Sequence, residues 1–199
     1  MSNITANFEE SVCVKSRLLA SGELSVLEKM GDTMKAAIQK GNKLMLCGNG
    51  GSAADAQHLA AEMMVRLRPG INRAGVPAIA LAQDTSTITA CGNDFGYDCL
   101  YERMIQTLGK EGDVLIGITT SGNSKNIIEA MKAASKIGIT VFGFLGTDGG
   151  QAIAFCEEAF VVPSDNTARI QEAHITAGHA LMEYIEDGLL EAGYLQLSN

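Results

Sequence analysis

The amino-acid sequence predicts an α/β protein built on one doubly wound sheet of five parallel strands, flanked by helices and preceded by two N-terminal helices. From residue 43 onward, short apolar runs alternate with helical patterns, the order typical of strand–helix–strand units. The runs are apolar throughout rather than at every second residue, as expected of strands covered on both faces. A length of 199 residues with 46 % hydrophobic side chains suits one well-buried domain.

The first 40 residues predict two amphipathic helices, because apolar side chains recur at intervals of three and four with a break near Ser21 and Gly22. Met30, Met34 and Ile38 form a stripe that we expect in the core or at a subunit interface. We therefore assign 1–42 to N-terminal helices that pack on the core and the subunit interface. The remainder, 43–199, forms the sheet core of what we expect to be one structural domain.

The five strands and their helices follow in order along this second part. The predicted strands are 44–47, 78–81, 114–118, 141–145 and 159–162. The predicted helical segments are 52–66, 85–108, 125–137, 151–155 and 167–191. In such sheets ligands bind beyond the carboxyl ends of the strands, near the switch in strand order, so we expect functional residues in the loops that follow the strands.

Composition excludes several classes of partner and location. The net charge is −8, and without a Lys/Arg cluster the chain is poorly suited to binding a nucleic acid. Five cysteines without a C-x-x-C pair predict free thiols in a reducing compartment. The polar, acidic N-terminus has no signal pattern, and no apolar run approaches the ~20 residues that span a bilayer. We expect a cytoplasmic protein without a membrane partner.

The loop after the first predicted strand reads Gly48-Asn49-Gly50-Gly51-Ser52 and opens a helix. Glycines allow a sharp turn and a close approach to a ligand, and the amides of a helix start favour an anion. A tight turn that binds nothing is the competing interpretation. The loop also matches the loose G-x-G-x-x-A pattern of dinucleotide folds, but the acidic residue wanted for the ribose is missing at the right spacing, so NAD binding stays a minor alternative.

The loop after the third predicted strand reads TTSGNS at 119–124 and again opens a helix. Four hydroxyl side chains and several backbone amides form a neutral, donor-rich cradle that suits a phosphate monoester on a small molecule. No lysine follows in the P-loop arrangement, which disfavours a nucleoside triphosphate. Ser/Thr-rich loops are often only turns and caps, but two such loops at successive strand ends indicate phosphate binding.

Side chains suited to a metal lie on two predicted helices. His58 and Glu62 are four residues apart, so they share one helix face, although a solvated surface pair is the alternative. On the last helix, Gln171 and His179 lie close enough in projection to reach one point, whereas His174 projects to the other side and is expected to be structural or interfacial. Imidazole, carboxylate and amide oxygen together suit a zinc-like ion.

Such a site has a chemical purpose in the interconversion of an aldose and a ketose. That reaction needs a base to move a proton between adjacent carbons through an enediol, and an electrophile to hold the developing oxyanion. Glu62 is the candidate base and His179 the partnering acid or base. Because a bound cation lowers the basicity of a carboxylate, we expect Glu62 to bind the metal only part of the time or through one oxygen.

Five segments of the chain resemble the signatures of sugar isomerase (SIS) domains of the phosphoheptose isomerase type. They are GNGGSAADAQH at 48–58, GND at 92–94, GDVLIGI at 112–118, TSGNS at 120–124 and ARIQEAH at 168–174. The similarity extends from about residue 5 to 190 in the same order. Thr119 stands where many members have serine, and the segment 66–73 varies among relatives, so we expect it to influence how the site closes.

The resemblance implies the SIS fold and the conversion of sedoheptulose 7-phosphate to D-glycero-D-manno-heptose 7-phosphate, the first step of ADP-heptose synthesis for bacterial lipopolysaccharide. It implies one zinc per active site, proton transfer by Glu62 and His179, and a homotetramer with active sites where subunits meet. The implied zinc ligands are His58, Glu62, Gln171 and His179. The implied substrate contacts are Asn49, Gly50, Gly51, Ser52, Asn93, Asp94, Thr119, Thr120, Ser121, Ser124 and Gln171.

The alternative function is a non-catalytic SIS-fold tetramer that binds a replication-initiator protein or senses a phosphosugar. The initiator-binding relative lacks the carboxylate and the histidine that match Glu62 and His179, and both are present here. Phosphosugar-sensing SIS modules usually carry a fused DNA-binding domain, for which we expect no room in 199 residues. The sequence therefore favours the enzyme.

Overall fold

The computed structural model of the protein describes residues 3–81 and 84–197. The seven α-helices found there are α1 Ile4–Ser21, α2 Ser25–Gln39, α3 Gly51–Met64, α4 Thr85–Asp94, α5 Leu100–Leu108, α6 Lys125–Lys136 and α7 Thr167–Glu191. The strands are β1 Leu44–Gly48, β2 Ala78–Ala80, β3 Val114–Thr119, β4 Thr140–Gly146 and β5 Glu158–Val162. Short 3₁₀ helices cover Tyr97–Cys99 and Ala152–Phe155.

The five strands form one parallel sheet in the order β2-β1-β3-β4-β5. The strand order reverses between β1 and β3, which pair from Leu44 with Val114 to Gly48 with Ile118. The carboxyl ends of these two strands are therefore side by side. This confirms the predicted doubly wound fold and places the two loops of interest at its switch point.

Each strand contributes side chains to a hydrophobic core on either face of the sheet, because successive residues point to opposite sides. In β1, Leu44 and Leu46 face the core formed with α1, α2, α3 and α7. Met45 and Cys47 face the core formed with α5 and α6. Burial on both faces explains why the strands read as continuous apolar runs.

The N-terminal helices pack on the first of these two cores. Met30, Met34 and Ile38 are all completely buried, so the predicted stripe on α2 is part of the core. The facing side chains come from α7, among them Leu181 and Ile185. The left-handed backbone of Gly22 separates α1 from α2 where the sequence predicts the break.

The predicted helical stretch 85–108 is not continuous. It divides into α4, a 3₁₀ turn and α5, with Gly96 between the first two at a φ of 90°. That conformation suits glycine and ends the helix. Asp84 caps α4 by accepting a hydrogen bond from Thr87 N at 2.7 Å, so its carboxylate serves the helix start. The other predicted elements agree with the structure to within two residues at each end.

Two sequence expectations can be compared with the structure: the one about membrane-spanning helices and the one about free cysteines. Among the helices of the described ranges, none combines the length and the apolar character needed to cross a bilayer. All five cysteines are free thiols, of which Cys13 is exposed and Cys47 and Cys91 are buried.

Candidate active site

Two helices begin beside each other at the switch point of the sheet. α3 starts at Gly51 directly after β1, with Gly50 at a φ of 57° as its first flanking residue. α6 starts at Lys125 after the loop that follows β3, with Ser124 before it. Because amides at helix starts point outward and carry a partial positive charge, the two starts together favour an anion at this edge.

A pair of amide side chains joins the two loops. Asn49 Nδ2 donates to Asn126 Oδ1 at 2.9 Å, and Asn126 Nδ2 donates back to Asn49 Oδ1 at 2.8 Å. Tyr97 Oη donates to the same Asn49 oxygen at 2.9 Å. Asn126 is buried, so this reciprocal pair holds the glycine-rich loop against the first turn of α6.

The hydroxyl groups of the second loop lie close together at the start of α6. Thr119 Oγ1 and Ser124 Oγ are 3.1 Å apart, and Ser121 Oγ accepts from Asn123 N at 3.1 Å. Ser52, in the first turn of α3, and Thr119 are both buried, whereas Ser121 is exposed. These groups agree with the predicted phosphate cradle, and the individual substrate contacts stay predictions.

A cluster of three metal-binding side chains forms between α3 and α7. His58 Nε2 lies 2.8 Å from His179 Nε2 and 3.5 Å from Glu62 Oε1. One ligand atom from each of the three residues lies within 4.8 Å of the others. His58 is exposed and the other two are half-buried, so the cluster opens to solvent. The four-residue spacing on α3 and the long α7 together produce this arrangement.

The donor set of the cluster fits a zinc ion. Two imidazoles and one carboxylate are a common protein ligand set for catalytic zinc, which leaves a position open for substrate. A fourth ionisable group lies one turn before His58: Asp55 Oδ2 is buried and meets no hydrogen-bond partner in the described residues. Burial raises the pKa of Asp55, an effect that the nearby His58 and His179 oppose.

The remaining predicted site residues lie at different distances from this cluster. The Gln171 carboxamide packs against Gly51, where its nitrogen is 2.7 Å from the position of a Cβ, and so reaches the start of α3. Its predicted role as a zinc ligand stays a prediction. Asn93 and Asp94 are exposed in the last turn of α4, and Asn93 Nδ2 donates to Asp94 Oδ1 at 2.7 Å. Their predicted contact with the sugar also stays a prediction.

His174 faces away from the cluster, as its projection predicts. Its Nε2 bonds to Leu145 O at 2.9 Å, and the ring packs between Phe144 and Phe160 in the core. Burial lowers the pKa of His174 to about 4, so the ring is neutral at neutral pH. The structure therefore confirms that His174 is structural.

Sequence reasoning missed three residues that the site contains. Asp55 carried a usable signal, because it precedes His58 by three residues on the same helix. Asn126 and Tyr97 carried none, because their contacts with Asn49 join segments 77 and 48 residues apart.

The chain is similar to known proteins in sequence and in fold. A sequence profile of the SIS domain family matches residues 8–146. The chain is 46 % identical over 187 residues to a phosphoheptose isomerase from Clostridium acetobutylicum, with 94 % of each chain covered. It is 42 % identical over 195 residues to one from Aneurinibacillus thermoaerophilus, with 98 % of each covered. A solved phosphoheptose isomerase from Neisseria gonorrhoeae superposes with a TM-score of 0.86 at 40 % identity, covering 92 % of this chain and 97 % of that one.

Proposed function

Because the chain belongs to the phosphoheptose isomerase family of SIS-domain proteins and is therefore an isomerase, we propose that it converts sedoheptulose 7-phosphate to D-glycero-D-manno-heptose 7-phosphate through an enediol. The observation that carries the proposal is the convergence of His58, Glu62 and His179 beside two loops suited to phosphate. A base, a partner acid and an anion site are the groups that this reaction requires.

Glu62 removes the proton from one of the two reacting carbons and then protonates the other. The abstracted proton exchanges with solvent between the two steps, because the cluster opens to water. A carboxylate suits this role because it is half-buried and has two oxygens, so that one can bind the ion while the other acts as the base. His179 is the partner that transfers the proton between the two substrate oxygens. Its Nε2 lies in the cluster and acts in this way only while it is not bound to the ion. The two residues come from different helices, α3 and α7, and meet at one end of the substrate.

We propose zinc as the cofactor, held by His58, Glu62 and His179, with Gln171 as the further ligand predicted from the sequence. Bound there, the ion supplies a Lewis acid for the oxyanion that develops on the substrate. The chain's own residues hold the remainder of the substrate: the hydroxyls and amides of 119–124 and the start of α3 bind the phosphate.

The spacing of the two ends agrees with a long sugar. His58 follows Gly51 by seven residues, which is about 10 Å along the axis of α3. A seven-carbon chain with a terminal phosphate is long enough to engage the cradle with one end and the cluster at His58 with the other. This favours a heptose phosphate over a triose phosphate.

We also propose a homotetramer with active sites where subunits meet. Support comes from α1, whose exposed side chains include Ile4, Phe8, Val12 and Leu19, all at least 63 % exposed in the single chain. An exposed apolar helix face of this kind is typical of a subunit interface.

The test follows the reaction in D₂O by NMR, using zinc-loaded protein and sedoheptulose 7-phosphate. We expect the aldoheptose phosphate to appear with deuterium at C2. Glu62→Gln should lower kcat by at least about 100-fold, because it removes the base while keeping the shape of the side chain. Glu111→Gln is the matched control and should retain wild-type activity, because Glu111 precedes the amino end of β3, whereas the candidate site lies at the carboxyl ends of the strands.

An inert wild type, with several ketose and aldose phosphates and with or without metal, would refute the proposed activity. The fold would then serve as a phosphosugar-sensing or partner-binding module. Full activity in Glu62→Gln would instead refute the role of Glu62 while leaving the isomerase in place.

A further inference from the structure

The carboxyl end of α3 is capped by a side chain from the loop that follows it. Arg73 Nη2 donates to Glu62 O at 3.1 Å, and Arg73 Nη1 donates to Met63 O at 2.9 Å. The last carbonyls of a helix have no partner within the helix, and a cation near them is favoured by the helix dipole. One guanidinium thus donates to two carbonyls in the turn that carries Glu62. Of these, Met63 O also accepts from Val76 N at 2.9 Å.

The same side chain is anchored to α7. Arg73 Nε donates to Glu186 Oε1 at 2.5 Å, and both side chains are completely buried. Nη1 donates also to Ala74 O at 3.0 Å, so all three nitrogens of the buried cation have partners. A buried cation needs such complete pairing, because its loss of hydration is costly.

The anchor lies on the part of α7 that leads to the active site. Glu186 follows His179 by seven residues, which is two helical turns, so both side chains lie on the same side of α7. The carboxyl end of α3 is therefore fixed relative to the segment of α7 that carries His179. His58 and Glu62 on one helix and His179 on the other have to keep their mutual distances for the cluster to form.

We propose that the buried Arg73–Glu186 pair positions Glu62 and the metal-binding cluster, by capping the last turn of α3 and tying it to α7. This inference rests on the proposed function of Glu62 and His179. It assigns a task to the segment 66–73, which the resemblance to SIS domains marks as variable among relatives. Arg73 acts through the backbone of Glu62 and is a positioning residue.

A purely stabilising role would not require this arrangement. Well-packed hydrophobic residues usually replace a buried ion pair at little cost in stability. They cannot donate hydrogen bonds to the carbonyls of Glu62 and Met63. Glu62 O would then lose the bond from Arg73, and Met63 O would keep only the bond from Val76 N. Only a forked donor such as arginine reaches two carbonyls and a carboxylate at the same time.

The chain provides a matched control in Arg68. Its Nε donates to the other oxygen of Glu186 at 2.7 Å, and its second hydrogen bond reaches Asp187, so both of these bonds end on α7. Its side chain is 30 % exposed. Arg68→Lys therefore weakens the ion pairing of Glu186 without removing the cap of α3, whereas Arg73→Lys keeps the charge but loses the fork.

The experiment compares Arg73→Lys, Arg68→Lys and wild type in three measurements. Hydrogen exchange of the amides of residues 62–65 is measured in metal-free protein, zinc affinity is measured by competition with a chromophoric chelator, and kcat and KM are measured for the isomerase reaction. For Arg73→Lys we expect faster exchange in the last turn of α3, zinc affinity about 10-fold weaker, and kcat about 10-fold lower with KM within about twofold. Arg68→Lys should match wild type in all three.

Equal effects of the two substitutions, confined to a lower melting temperature, would overturn the proposal. If Arg73→Lys does not fold, Glu186→Gln takes its place: it keeps an acceptor for Nε but removes the charge, and the same changes are expected at smaller size. The exchange measurement needs neither zinc nor substrate. If Arg73→Lys selectively loses protection at the end of α3 while the wild-type protein has no isomerase activity, the cap is supported and the proposed function is refuted. Unchanged protection in Arg73→Lys would refute the cap.

Discussion

At the scale of single residues, His174 shows how burial decides the state of a titratable group. Its Nε2 meets a carbonyl oxygen, Leu145 O, so that nitrogen carries the proton of a neutral ring. Its Nδ1 is therefore an acceptor, and it is buried without a hydrogen-bond partner in the described residues. Charging this ring would place a cation between Phe144 and Phe160, which is why the pKa of His174 falls to about 4.

This perturbation predicts a loss of stability in mild acid. The ordinary pKa of 6.5 applies to the unfolded chain, so below that pH the unfolded state binds a proton that the folded state does not. The contribution of His174 is fully present above pH 6.5 and is lost as the pH falls to about 4. It amounts to at most roughly 3 kcal/mol.

Urea unfolding of metal-free protein between pH 7 and pH 4, in wild type and His174→Gln, measures this contribution. We expect the free energy of unfolding to fall less steeply in the variant, because glutamine does not titrate. If the free energy of unfolding falls equally steeply with falling pH in the two proteins, other groups account for the acid sensitivity. A chelator in all samples removes any contribution from metal release at the cluster.

At the scale of elements, the turn before α6 depends on the close approach of two loops. Gly122 has a φ of 64°, and a Cβ at this position would lie 2.1 Å from Gly149 O. Ala152 N donates to Gly122 O at 2.8 Å, so the 119–124 loop is also bonded to the short helix after β4. The shape of the phosphate cradle therefore depends on a glycine at residue 122.

Gly122→Ala is expected to destabilise the protein by more than the left-handed conformation alone explains. That conformation costs an alanine about 1–2 kcal/mol, and the clash with Gly149 adds to it. Gly41→Ala is the matched control, because Gly41 has a φ of 83° with nothing within 4 Å of a Cβ. Urea unfolding compares the two, and a rise in KM specific to Gly122→Ala would report the cradle. Equal losses of stability with unchanged KM would contradict this account.

Local patterns of the sequence predict the elements well, and long-range contacts account for what they miss. The five strands are predictable because burial on both faces makes them continuously apolar, and α7 is predictable over its full length from its periodicity. The interruption at Gly96 is missed because apolar periodicity continues through it into α5. Arg73 is missed because its partner Glu186 is 113 residues away, and no spacing rule connects them.

In the candidate site, too, local spacing predicts some residues and only the fold brings in the others. His58 and Glu62 are found from their spacing on one helix, which fixes their relation without knowledge of the fold. The approach of His179 to His58 spans 121 residues and depends on how α7 crosses α3. Sequence reasoning reaches His179 through its projection beside Gln171 on α7 and through the chemistry that the reaction demands, and neither predicts its distance from His58.

At the scale of the whole molecule, the first helix carries apolar side chains that the single chain does not bury. Ile4, Phe8, Val12 and Leu19 are 75 %, 71 %, 63 % and 70 % exposed. At 100° per residue they fall within about 80° of one another around the axis of α1, so they form one stripe. Val14 and Leu18 on the same helix are instead buried against the core. A helix with two apolar sides is expected to pack on two surfaces, one of them outside the chain.

Phe8→Glu is therefore expected to shift the proposed homotetramer to smaller species. The substitution places a charge in the middle of the stripe, where burial against another subunit would leave it without water or a partner. Arg17→Glu introduces the same side chain on the far side of α1 and should leave the assembly unchanged. Sedimentation velocity at several protein concentrations gives the masses. If Phe8→Glu remains a tetramer, the stripe is not the interface, and a wild type that sediments as a monomer would refute the tetramer itself.

Because the active sites are proposed to lie where subunits meet, dissociation should also lower kcat, and the loss should diminish at high protein concentration as subunits reassociate.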